Sequence, residues 1–190
     1  MLPTAAAAVP SQGPVAEEGL RTIPPRENCG NADVKQLTRG SKLYVPVAVD
    51  GALYSVGDGH FAQGDGECCG TAIEMGATAV VRFRVLKDEA RTKGIVWPRF
   101  AHPGYFAKQE QNFIATMGMP VTAEGRQEDC DLNLAARNAV LRMIELLEER
   151  GWTREQAYVL CSVAVDLRVS NVVDVPNVTV SALLPEDIFS

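Results

Sequence analysis

The chain has 190 residues, with 18 Lys and Arg against 24 Asp and Glu, and the resulting net charge of −6 disfavours a nucleic-acid partner. Its length corresponds to one domain with or without an appendage, and a hydrophobic content of 46% is enough for a sizeable core. No stretch approaches ~18 uninterrupted apolar residues, so the sequence predicts no transmembrane helix and no membrane partner.

The first segment, residues 1–19, contains an alanine run interrupted by Pro3 and Pro10. No Lys or Arg precedes the apolar part, as it would in a signal peptide. We therefore predict a disordered leader or linker over residues 1–19, with a signal peptide as the minor alternative. The folded domain is predicted to span residues 20–190.

The middle of the chain has the pattern of short strands. Apolar and other residues alternate over residues 43–49, and Asp50-Gly51 then predicts a tight turn into a second strand over 52–56. Similar patterns predict strands over residues 77–85 and 113–119. Many short strands with short connections favour a barrel or a sandwich.

The last third predicts two helices followed by a strand. Asp131 or Asn133 is suited to cap a helix whose apolar residues recur at helical spacing up to Leu147. Thr153 and Gln156 form a capping-box pattern for a second helix that ends near residue 164, and a β pattern follows. The predicted fold class is α+β with β dominant, in which both helices pack on a barrel-like or sandwich-like β domain.

Cysteine and histidine usage limits the chemistry. The five cysteines fit neither a disulfide framework nor paired CxxC zinc binding, which predicts reduced thiols and a cytoplasmic location. The two histidines, His60 and His102, exclude a three-histidine metal site within one chain.

The run from Gly57 to Glu67 concentrates groups that bind cations. If the chain is extended, Asp58 and His60 share one face, and Gln63, Asp65 and Glu67 share another. One imidazole among several oxygens suits zinc, while calcium or magnesium would use the oxygens alone. Glu67 or Asp65 is then a candidate general base.

Ordinary turn chemistry is the competing interpretation, since Asp and Gly are frequent turn residues. His102, which precedes Pro103, is either a second ligand or a structural residue. Glu74 is either a buried base or the exposed side of a strand. Cys161 and Ser162, inside a predicted helix without a nucleophile elbow, are expected to pack in the core.

Three motifs in order resemble the acetamidase/formamidase family. They are PPRENCGNADVKQLTRGS, then VGDGHFAQGDGE followed by GTAIEM, then SVAVDLRVSNVVDVPNVTVSALLPEDIF, and the likeness runs from about Arg21 to the last residues. The resemblance implies hydrolysis of formamide, acetamide or similar short amides to the acid and ammonia. It also implies a divalent metal, a β-rich fold with interlocked barrel elements, and assembly into oligomers.

The resemblance carries over to particular residues. The family's GD-x-H-x-x-QGDGE run corresponds to residues 57–67, the GTAIE turn to residues 70–74, and the REN-x-GN-x-D run to residues 26–33. The resulting assignment makes Asp58 and His60 metal ligands, and Glu67 and Asp65 catalytic. The predicted substrate-binding or site-forming residues are Gln63, Glu74, Glu27, Asn31 and Asp33.

The expected cofactor is zinc, with calcium as the alternative, and the expected partners are a small amide and further subunits. Family members carry an N-terminal segment with its own strands and histidines, where this chain has Ala/Pro-rich sequence. The alternative function is therefore a non-catalytic or partial subunit whose partner chain supplies that segment.

Overall fold

The computed structural model describes residues 12–18, 22–23, 25–105 and 112–189. The chain divides into two compact units, the first made of Met1–Ser55 and Val80–Tyr105 and the second of Val56–Ala79 and Phe106–Ser190. The predicted leader lies largely outside the described residues, apart from residues 12–18, which include helix α1 (Pro14–Glu18). The division of the chain at residue 19 stays a prediction.

The first unit contains a small antiparallel sheet of β1 (Lys42–Tyr44) and β4 (Arg99–Ala101), and the short helix α2 (Glu89–Lys93). The turn predicted at Asp50-Gly51 forms, with the Ala52 amide donating to the Val49 carbonyl at 3.1 Å.

The strands predicted over residues 52–56 and 77–85 do not form. Both segments have the β pattern, but none of the described strands pairs with either of them, and a strand needs a neighbour to satisfy its backbone. Their apolar side chains remain exposed, at 95% for Val80 and 67% for Phe83. The prediction of strands in these two segments is therefore wrong, because no ladder partner lies beside them in the described part of the chain.

The second unit is built on a three-stranded antiparallel sheet in the order β5-β7-β6, comprising β5 (Phe113–Gly118), β6 (Asp166–Asn171) and β7 (Thr179–Pro185). A short hairpin of β2 (Gly59–Ala62) and β3 (Ile73–Met75) belongs to the same unit. The chain continues from β7 into a short 3₁₀ helix, Glu186–Phe189. The hairpin carries the residues predicted to perform the chemistry.

Two helices cover the sheet, as predicted. In α3 (Leu132–Glu149) the Asp131 side chain accepts a hydrogen bond from the Leu134 amide, and α4 (Arg154–Ala164) begins at a complete capping box of Thr153 and Gln156. These caps satisfy backbone amides that have no partner inside the helix.

The core lies between these helices and the sheet, and helix α3 packs closely against strand β5. A side chain at Gly118 would overlap the α3 backbone, so only glycine allows this approach. The buried apolar residues of this core are Ala135, Ala139, Val140, Met143, Ile144, Leu147, Ala157, Cys161, Val165, Val178, Val180, Ala182 and Leu184.

The fold class is α+β, and among the described residues seven strands outnumber four α-helices. The sheets in this part of the chain are open, with two or three strands each, and none of them closes into a barrel. Within the described ranges, no helix combines the length and the apolar character that crossing a bilayer requires.

Candidate functional site

The candidate site is built on the β2–β3 hairpin and its connecting loop, residues 63–72. His60 on β2 lies directly opposite Glu74 on β3. Residues opposite each other in an antiparallel pair place their side chains on the same face, with Cβ atoms roughly 5 Å apart. Glu74 is exposed, so its carboxylate is accessible beside the imidazole, as the strand interpretation predicted.

The His60 ring is held by Gln63. Nδ1 of His60 lies 2.9 Å from Oε1 of Gln63, and because an amide oxygen only accepts, Nδ1 carries the proton. In the neutral ring Nε2 therefore keeps a lone pair. Gln63 is 9% exposed and the His60 side chain 12%, so this hydrogen bond is largely shielded from solvent.

Nε2 of His60 is buried and has no hydrogen-bond partner among the described residues. One carboxylate oxygen, Oδ1 of Asp58, lies 3.2 Å from Nε2. Two lone-pair atoms thus face each other. Ligands of a tetrahedral zinc ion at ~2.1 Å are separated by roughly 3.3 Å, so the spacing of this pair is compatible with two ligands of one ion, as it is with an ion pair to a protonated ring.

Electrostatics favour positive charge at this ring. The hydrogen bond with Gln63 raises the pKa of His60, burial lowers it, and the carboxylates of Asp58 and Glu67 raise it further, so that the pKa lies above its ordinary value. A cation placed at Nε2 would experience the same carboxylates. The site is therefore suited to holding positive charge, as either a proton or a metal ion.

The run is not extended throughout, which was the condition for the predicted sharing of faces. Asp58 has a left-handed backbone with φ of 57°, and β2 begins only at Gly59. The Asp58 carboxylate nevertheless lies 3.2 Å from the His60 ring. Gly64–Glu67 forms a turn in which the Glu67 amide donates to the Gly64 carbonyl at 3.1 Å. Turn chemistry and a polar cluster thus coexist in one segment.

The loop is fixed by backbone contacts with strand β6. The Asp65 amide donates to Oδ1 of Asp166 at 3.0 Å, and the Leu167 amide donates to the Asp65 carbonyl at the same distance. Glu67 is half-buried, has a φ of 40°, and acts electrostatically on His60. Both predicted catalytic carboxylates therefore stand on the same rigid loop as the histidine partner Gln63.

The remaining predicted site residues belong to the first compact unit. Glu27 forms an ion pair with Arg26 at 2.9 Å, and the Asn31 side chain donates to the Ile23 carbonyl. Asp33 is half-buried and has a φ of 43°. Their assignment as site-forming residues stays a prediction.

His102 forms hydrogen bonds with neighbouring loops of the first unit. Its Nε2 lies 3.2 Å from Oγ1 of Thr38 and 3.1 Å from the Arg39 carbonyl, so both contacts belong to the surrounding loops. Both Cys161 and Ser162 are buried in α4, as expected. The sequence pattern did not predict that Tyr158 and Ser162 on α4 contact the loop over residues 63–72, because a helical pattern locates a helix but not the segments that pack against it.

Comparisons with known proteins agree with these features. A family model described as the Acetamidase/Formamidase family matches residues 1–190. A formamidase from Methylophilus methylotrophus is 39% identical over 177 residues, which is 92% of this chain and 43% of that protein. An acetamidase from Mycolicibacterium smegmatis is 43% identical over 149 residues, 77% of this chain and 36% of that protein.

A solved structure of a gamma lactamase from Delftia acidovorans superimposes with a TM-score of 0.80 at 38% identity, covering 93% of this chain and 45% of that one. The chain thus spans less than half the length of these relatives. The predicted resemblance is confirmed: this chain belongs to the Acetamidase/Formamidase family.

Proposed function

We propose that this protein hydrolyses short linear amides such as formamide and acetamide, using a zinc ion held by Asp58 and His60. The observation that supports it most directly is the buried lone pair of His60 Nε2, which faces Oδ1 of Asp58 at 3.2 Å. A nitrogen ligand favours zinc over calcium, which takes oxygen ligands. When bound, zinc would polarise the amide carbonyl and acidify water.

The carboxylate of Glu67 is assigned as the general base. It accepts a proton from the water that attacks the amide carbon, and the carbon–nitrogen bond then breaks. The leaving nitrogen receives that proton, so ammonia and the carboxylic acid are the products. The role is supported by the position of Glu67 on the loop that joins the two strands of the hairpin, and by its negative charge, which raises the pKa of His60.

The other residues of the hairpin orient these groups. Gln63 holds the ring so that Nε2 faces Asp58. Asp65 anchors the loop to β6 through its backbone and supports the base, and Glu74, opposite His60, is placed to contact the amide or a further water.

Zinc binding and ammonia release from formamide and acetamide test the proposal. His60→Ala should abolish both, whereas His102→Ala should leave zinc binding unchanged, because the hydrogen bonds of His102 among the described residues go to Thr38, Arg39 and its own loop. A folded wild-type protein that neither binds zinc nor releases ammonia would falsify the assignment.

A second candidate function is a partial subunit that acts only with a further chain. It is favoured by exposed apolar residues such as Val80 and Phe83 in strand-like sequence, which a further chain could cover. Ammonia release that appears only after mixing with a chain matching the rest of the family sequence would support it. Release by this chain alone would count against it.

We also propose assembly into oligomers and a cytoplasmic location. All five cysteines are free thiols, which suits a reducing compartment. Sedimentation of the purified protein tests the assembly, and the thiol state of protein isolated from its source tests the location.

A further inference from the structure

One residue of helix α4 contacts both ends of the loop that carries the proposed catalytic carboxylates. At the start of the loop, the Gly64 amide donates to the Ser162 carbonyl at 2.9 Å. At its end, the Cys69 amide donates to Oγ of Ser162 at 3.2 Å, and the same hydroxyl donates to the Thr71 carbonyl at 2.6 Å. Ser162 thereby joins the two ends of the loop to each other.

The hydroxyl is well suited to this role. Ser162 is fully buried, so no water competes for its hydrogen bonds, and a serine hydroxyl both donates and accepts. Tyr158 lies one helical turn earlier on the same face of α4, and its hydroxyl donates to the Cys68 carbonyl at 2.7 Å. Side chains on this face of α4 therefore form hydrogen bonds with two successive loop residues, Cys68 and Cys69.

The loop in turn sets the geometry of the histidine. Gln63, which orients His60, immediately precedes Gly64, and Thr71 lies two residues before β3, on which Glu74 faces His60. Movement at either end would alter where Nε2 points relative to Asp58. Over the ranges that the structure describes, the hydrogen bonds of Ser162 outside its helix go to Gly64, Cys69 and Thr71 and not to Asp58 or His60, so Ser162 acts through the loop.

We infer that Ser162 is a positioning residue for the proposed metal site, assisted by Tyr158, and that its hydroxyl keeps the loop over residues 63–72 in the conformation that binds zinc. This inference rests on the proposed function. Ser162 is not assigned as a nucleophile, because its hydroxyl accepts a hydrogen bond from the Cys69 amide and donates its proton to the Thr71 carbonyl.

The test compares Ser162→Ala, Tyr158→Phe and a control, Ile144→Val, which loosens the buried face of α3 without removing a bond to the loop. Three properties are measured on the full chain: deuterium uptake of the peptide over residues 63–72, zinc affinity by competition titration, and kcat and KM for formamide. Tyr158→Phe is a milder variant at an exposed residue, and it removes a different hydrogen bond from α4 to the same loop, so it tests the support of the loop even if Ser162→Ala folds poorly.

We expect Ser162→Ala to speed exchange in the loop and to weaken zinc binding about tenfold, the effect typical of losing support behind a metal ligand. The value of kcat should fall more than KM rises. Tyr158→Phe should change the same quantities less, and Ile144→Val should lower the melting temperature without changing loop exchange or zinc affinity.

The inference is overturned if Ser162→Ala has the same loop exchange and the same zinc affinity as the wild type. It is also overturned if Ile144→Val changes these quantities as much as Ser162→Ala does, because Ser162 would then only stabilise the fold in general. Wild-type protein that binds zinc but releases no ammonia would instead overturn the proposed function alone. The two failures are therefore distinguishable.

Discussion

Gly64 and Val165 are in backbone contact where the candidate loop meets the junction of α4 and β6. A methyl group at residue 64 would overlap the carbonyl oxygen of Val165, and the Gly64 amide bonds to Ser162 in the same place. The loop thus lies directly on the end of the helix, without side chains between the two backbones. Several predictions about the site depend on this contact and on the hydrogen bonds beside it.

Gly64→Ala should lower the free energy of unfolding by about 1–3 kcal/mol, the cost typical of forcing an extra group into a packed contact. The control is Gly57→Ala in the same run, because a methyl group there meets nothing within 4 Å. Urea unfolding measures both variants. Equal stability of the two would contradict the contact between Gly64 and Val165.

Gln63→Leu should weaken zinc binding by about tenfold, because the ring of His60 loses the acceptor that fixes its tautomer and orientation. Gln63→Glu keeps an acceptor at the same reach and should retain most of the affinity. Competition titration with a zinc chelator measures both. Retained affinity in Gln63→Leu would show that Gln63 does not orient the ligand.

The free energy of unfolding should fall in alkaline solution, because the buried thiols of Cys68 and Cys161 then tend to ionise. Burial raises the pKa of Cys68 to about 11 and that of Cys161 to about 12, above the ordinary value of about 8.5 for an unfolded chain. When the pKa of a thiol is higher in the folded state than in the unfolded state, the thiol stabilises the fold fully at pH values below its unfolded pKa. This stabilisation is lost as the pH rises from the unfolded pKa to the folded pKa. The free energy of unfolding should therefore decline from about pH 8.5 upwards.

Cys161→Ala tests this linkage, since it removes one of the two thiols. Its stability at pH 7 should be lower because a buried group is lost, but its further decline between pH 8.5 and 11 should be shallower than in the wild type. Urea titrations across that range provide the comparison. Parallel declines would assign the alkaline loss to other groups.

Thr153→Ala should cost about 1 kcal/mol, because the Thr153 side chain accepts from the Gln156 amide and the reciprocal bond completes the capping box of α4. Thr153→Ser retains the hydroxyl and should stay within a few tenths of the wild type. Thermal unfolding compares them. If alanine and serine behave alike, the cap contributes nothing measurable to α4.

Local signals predicted the C-terminal part well. The helical spacing up to Leu147, the Asp131 cap and the Thr153 capping box all depend on residues within a few positions of each other, so the sequence located α3 and α4 closely. The strand pattern over residues 113–119 likewise became β5. The equally clear pattern over 77–85 did not become a strand, because a ladder requires a partner that local sequence cannot supply.

The sequence also predicted which residues belong to the candidate site, but it did not predict how they are arranged. Asp58, His60, Gln63, Asp65 and Glu67 were selected by residue type within one short run, and the family likeness rests on that run. The sharing of faces assumed an extended chain, whereas Asp58 and Glu67 have left-handed backbones, and Nε2 of His60 has no hydrogen-bond partner among the described residues.

The sequence alone determined the residue types available for the chemistry, the two helices and the family, since these depend on identity and on short-range spacing. Tertiary structure alone decided that Ser162, which is 93 residues further along the chain than Cys69, bonds to both ends of the loop that follows His60. The physical reason is that hydrogen bonds between distant segments depend on how helix and loop pack in space, which no local pattern records.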